Sequence, residues 1–191
     1  MKKKALILGM IMIALLSTGC SNVAKKATEN TFILNKDESV TDVSVEDYTD
    51  SNYKIDDLRD FVTDAVNDYN EKNGEDSVVL KSYEALDEKG KNIKVVIDYK
   101  TIEDYNKFNN TDYEVKSISK ADLSGKFKDV EGEEVKTKTI KEETKLKVLT
   151  IDEDTKVYIK GAKYYSSKLK YNKEDKTLYN AEGKTGVIVF K

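Results

Sequence analysis

Few residues of this 191-residue chain can do covalent chemistry, and the missing types narrow the field most. There is no histidine, which removes Ser-His-Asp and Cys-His catalysis and every histidine-ligated metal site. Cys20 is the only cysteine, so disulfides and thiolate zinc sites are excluded as well. Arg59 is the only arginine, and the nine glycines are scattered as isolated turn residues. Neither an arginine clamp nor a glycine-rich loop is present to hold phosphate. Carboxylates, lysines and tyrosines remain. A pair of carboxylates can hydrolyse glycosides without histidine, but with 36 acidic residues the sequence singles out no pair. The acidic stretches Asp152-Glu153-Asp154 and Glu174-Asp175 lack the glycine and terminal glutamate of an EF-hand and read as solvated turns. Nor is any Ser-Lys dyad marked out among so many lysines. The twelve tyrosines offer a non-covalent alternative, since aromatic rings on a sheet stack sugars or peptide side chains as readily as they pack. Tyr164, Tyr165, Tyr171 and Tyr179 fall on successive predicted strands and are the expected ligand contacts. Adjacent strand residues point to opposite faces, so one of Tyr164 and Tyr165 should face outward. No catalytic residue, metal ligand or cofactor is expected.

The first twenty residues carry an address. Lys2, Lys3 and Lys4 precede an apolar run from Ala5 to Leu16, and Ser17-Thr18-Gly19 brings small residues up to Cys20. At 1.5 Å per residue that run reaches roughly 18 Å, short of the ~30 Å hydrocarbon core, so it reads as a cleaved signal rather than a membrane span. Leu15-Leu16-Ser17-Thr18-Gly19-Cys20 resembles the lipobox of bacterial lipoproteins, with Ser17 where that motif usually has leucine. The resemblance implies cleavage after Gly19 and a thioether-linked diacylglyceryl group on Cys20. Two acyl chains satisfy the requirement for stable anchoring. An ordinary secretory signal with an incidental cysteine is the alternative.

Removing residues 1–19 leaves 172 residues, enough for one domain or two small ones. The leader holds three lysines and no acid, so 30 basic residues then face 36 acidic ones, and the net charge moves from −3 to about −6. Such a surface argues against nucleic acid and against a polybasic grip on anionic lipid. The membrane contact is expected through the lipid on Cys20.

Along the chain, residues 20–30 are polar and aperiodic and read as a tether without structure. Residues 31–125 read as an α+β domain. A first hairpin pairs Thr31-Phe32-Ile33-Leu34 with a strand carrying Val40, Val43 and Val45. A helix follows from Ile55 to Asn73, with Ile55, Leu58, Phe61, Val62, Ala65, Val66 and Tyr69 on one stripe. Asp56 and Asp57 sit in its first turn and Asn73-Gly74 at its stop. A second hairpin joins Ser77–Tyr83 to Ile93–Tyr99, where Val96 alone breaks the alternation of apolar and polar faces. Thr101 is placed to cap a short helix holding Tyr105 and Phe108, and Thr111–Ile118 reads as a strand. Residues 126–145 read as a charged loop. Residues 146–191 are β-rich, a meander or small sandwich that ends with the last strand tucked in.

The fold class is therefore α+β: one main amphipathic helix on antiparallel strands, then a mostly β C-terminal half. The order of elements and the run Tyr99-Lys100-Thr101-Ile102-Glu103-Asp104-Tyr105-Asn106-Lys107-Phe108-Asn109 resemble small surface lipoproteins of Gram-positive bacteria whose ectodomain has no assigned activity. That resemblance implies a lipid-anchored protein on the outer face of the cell membrane. The expected function is non-enzymatic, the binding of an envelope protein, peptide or glycan or a role in envelope assembly. An envelope hydrolase using paired carboxylates is the alternative.

Overall fold

A computed structural model describes residues 21–48, 54–87, 91–151, 155–179 and 185–191. The expected signal sequence, Cys20 and the Asp152-Glu153-Asp154 turn lie outside the described residues. Among those described, the fold is α+β with a mostly β C-terminal half. Helix α1 (Ser21–Lys26) leads into the hairpin β1 (Thr31–Leu34) and β2 (Val40–Asp47). Helix α2 (Ile55–Asn73), the hairpin β3 (Val78–Ala85) and β4 (Asn92–Tyr99), and helix α3 (Ile102–Asn109) follow. Then come β5 (Glu114–Ser117), β6 (Phe127–Asp129), β7 (Glu134–Val135) and helix α4 (Thr137–Glu142). The chain closes with β8 (Lys147–Ile151), β9 (Lys156–Ile159), β10 (Ala162–Ser166), β11 (Lys170–Asn172), β12 (Thr177–Tyr179) and β13 (Gly186–Phe190).

These strands form two sheets. The larger has the order β11-β12-β9-β1-β2-β4-β3 and the smaller β5-β8-β13-β10-β6-β7. Apart from the β11–β12 hairpin, successive C-terminal strands switch from one sheet to the other, so that half is built into both layers, and β9 crosses over to lie parallel to β1. One apolar core serves both sheets: Phe32, Leu34, Tyr99, Val157 and Leu178 of the larger pack with Leu149, Ile151, Tyr165, Ile188 and Phe190 of the smaller. Phe32, Tyr99, Tyr105 and Tyr113 meet edge-to-face or tilted within it, at centroid separations of 5.0 to 5.6 Å. The chain end is tucked in as expected. Gly161, at φ 96° in the β9–β10 turn, lies where an added Cβ would come within 2.9 Å of the Lys191 carbonyl, and the Lys191 N–H donates to the Gly161 carbonyl at 3.1 Å.

Two stretches read as structureless are ordered. Residues 21–26 form α1, whose Ala24 is buried against Ile33, Val43 and Val96 on the outer face of the larger sheet. This resolves the irregular Val96: it faces away from the main core, into the small apolar patch that α1 covers. A six-residue helix with one buried position leaves no periodicity to read. Residues 126–145, expected as a loop, supply β6, β7 and α4, and bury Phe127 and Ile140 with Ile118, Leu123, Leu146, Val148 and Val189. Their strands are two and three residues long, too short for an alternation to register.

Candidate functional site

Register decides what the outer face of the larger sheet presents. On β1, Phe32 and Leu34 turn to the shared core, which leaves Thr31 and Ile33 outward. Thr31 lies beside Lys156 in the parallel pair, so Lys156 and Tyr158 of β9 share that outward face while Val157 and Ile159 go inward. Across the antiparallel pair β9–β12, Tyr179 stands opposite Lys156 and Thr177 opposite Tyr158, and Asn172 of β11 continues the row from Thr177. At one end of the face α1 covers Ile33, Val43 and Val96. The uncovered part beside it mixes polar side chains with apolar surface and two tyrosine rings.

A cavity of about 460 Å³ lies there, between the α1 segment and β9, β12 and the β11–β12 turn. A second, of about 280 Å³, adjoins it on the side of Tyr179 and shares Thr28, Glu29 and Lys156 with the first. The volume of the first falls within the range of small-molecule sites. Lys156 is the hinge of the arrangement. Its ammonium lies 2.8 Å from Glu29 and 3.6 Å from Asp175, and the hydrogen bond to Glu29, outweighing the cost of partial burial, holds it protonated above the usual lysine range. Asp175 is pushed up by burial, but the hydroxyl and N–H of Thr177, at 2.6 and 3.0 Å, together with Lys156, outweigh that and hold its carboxyl below the ordinary range. The first cavity's wall carries Lys26, Lys156 and Lys176 against Glu29, Glu174 and Asp175, so its charges balance.

The four tyrosines expected as ligand contacts do not assemble into one platform. Tyr165 is buried in the shared core and stacks on the half-buried Tyr171, with centroids 5.8 Å apart and planes at 29°. Tyr164, its neighbour on β10, takes the opposite face and packs against the second apolar cluster. Its hydroxyl donates to Glu143 at 2.5 Å, which, together with burial, raises its pKa to about 12. Glu143 also accepts from Lys163, and the two donors hold its carboxyl below the ordinary range, fastening the end of α4 to β10. Tyr179 alone of the four borders the cavities, and its companion there is Tyr158, which strand alternation by itself did not single out. The signal that finds Tyr158 is the parallel pairing of β9 with β1, a contact more than 120 positions apart in the chain. Glu174-Asp175, read as a solvated turn, forms part of the cavity wall.

Comparison with family models, with curated proteins and with solved structures finds no match. Among the described residues, no helix is long and apolar enough to cross a membrane.

Proposed function

We propose that this protein is a lipid-anchored module on the outer face of the cell membrane that binds an envelope ligand, without enzymatic turnover, in the cleft between α1 and the β9–β12 face. The observation that carries the reading is the pair of adjoining cavities with Lys156 held between Glu29 and Asp175 at their junction. A pre-formed set of polar groups bordered by aromatic rings suits a specific binding site. The anchor belongs to the same reading. Helix α1 begins one residue after Cys20 and is docked on the sheet, with the Lys94 ammonium donating to the Lys25 carbonyl at 2.9 Å. Acyl chains on Cys20 would therefore hold the domain close to the bilayer, with the cleft beside the attachment point, instead of on a loose tether.

A hydrolase using Glu29 and Asp175 is the competing reading. The depressed pKa of Asp175 is opposite to what a general acid needs, and both carboxylates already share one lysine. Two measurements test the proposal. Cys20→Ala should remove the fatty acids seen by mass spectrometry and release the chain from membranes; a variant that fractionates and is trimmed like the parent sinks the anchor. Affinity capture of envelope peptides and glycans on the full chain should be lost in Lys156→Ala. Equal capture by parent and variant would exclude the cleft.

A further inference from the structure

We propose that the cleft beside α1 recognises a neutral oligosaccharide. The inference deepens the binding reading above and rests on it.

Two of its carboxylates are engaged in place. Glu29 and Asp175 flank one ammonium, and each carboxylate keeps lone pairs able to accept O–H donors. Balanced charge along the wall of the larger cavity gives no net field to select an anion or a cation. The Asn172 amide, whose oxygen already accepts from the Glu174 N–H, has its NH₂ to donate while the carboxylates accept, which suits vicinal diols that both donate and accept; the buried hydroxyls of Thr31 and Thr177 are spent on the Glu29 carbonyl and on Asp175. Two rings complete the set: Tyr158 in the larger cavity and Tyr179 in the smaller, on adjacent antiparallel strands and two residues out of register along them. Partly apolar rings with a polar tip suit the C–H face of a pyranose, whose edge is hydroxyl-lined. Adjoining cavities that share Lys156 give successive sugar units a common hydrogen-bonding centre.

The test is isothermal titration of the full chain in detergent with cellotetraose and tetra-N-acetylchitotetraose, and separately with a set of neutral tetrapeptides. At least one oligosaccharide should bind, with affinity falling about tenfold or more in Tyr158→Ala and severalfold in Asn172→Ala. Asn172 is exposed at the end of the edge strand β11, so its variant keeps the fold if Tyr158→Ala does not. Peptides that bind and weaken in the same variants, with no oligosaccharide binding, would overturn the ligand class and leave the cleft standing. Oligosaccharide binding that neither variant weakens would place the site elsewhere and overturn both readings, and so would failure of both ligand classes.

Discussion

Helices α1 and α2 make opposite bargains with the larger sheet. The nineteen-residue α2 has the longest periodic pattern among the described helices, yet only Val66 is buried and Phe61, in the middle of the apolar stripe, is 72% exposed. The six-residue α1 has no pattern to speak of, yet its Ala24 is buried and the Lys94 ammonium, on a residue only 2% exposed, reaches its last turn. Val66 joins the shared core with Val62 and Tyr69 packed beside it, and polar clasps fasten the ends of α2. The Tyr83 hydroxyl donates to the Ile55 carbonyl at 3.1 Å at the start of the helix. Near its end, the Asn70 side chain donates to the Val78 carbonyl at 2.8 Å and accepts from the Val78 N–H at 3.0 Å, and the Tyr69 hydroxyl donates to Asp104 of α3 at 3.1 Å. Amphipathic spacing says that a helix forms; what its stripe touches depends on the surface it meets.

That contrast can be broken or sharpened by substitution. Ala24→Asp sets a carboxylate against Ile33, Val43 and Val96, and should undock α1 at a cost of about 2 kcal/mol. Hydrogen exchange would then rise across residues 21–30 and in β2 and β4; unchanged protection there would mean that α1 does not depend on Ala24. Asn70→Ala leaves the Val78 N–H and carbonyl without their clasp and should lower stability by about 1 to 2 kcal/mol in denaturant titration. A smaller loss than Phe61→Ser causes would show that α2 is held by its stripe after all.

A pH effect should separate the two helices further. Burial, with the hydrogen bond to Asp104, raises the Tyr69 pKa from 10.0 to about 12. A folded-state pKa above the unfolded one contributes stability that is complete below pH 10 and is lost as pH climbs from there through about 12. Exchange at the end of α2 should therefore accelerate over that window, while tyrosinate absorbance, unobscured in a chain without tryptophan, rises late. Tyr69 titrating near 10 would remove the clasp. The smallest effect belongs to Phe61→Ser, expected to change stability by no more than about 0.5 kcal/mol because so little of the ring is covered. A loss several times larger would show that the ring is covered in solution.

Much of the fold was legible where signals were local. The bounds of α2 coincide with the expected Ile55 to Asn73, and Thr101 caps α3 by accepting from the Asp104 N–H at 3.1 Å. Both hairpins pair as read. The candidate site was far less legible: of the tyrosines expected to meet a ligand, only Tyr179 borders the cleft, and Lys156, Tyr158, Glu29 and Asp175 carried no motif.

Composition and local pattern alone determined the chemistry that this chain lacks, the position of its single thiol, and the helices and hairpins whose hydrogen bonds close within some thirty residues. The tertiary structure decided which side of each strand faces the shared core, that α1 lies on the larger sheet, and that β9 runs beside β1. Alternation along a strand defines two faces without saying which will be covered. Only packing between segments distant in the chain makes that choice, and the cleft exists because α1 covers one part of the outer face and leaves the next part open.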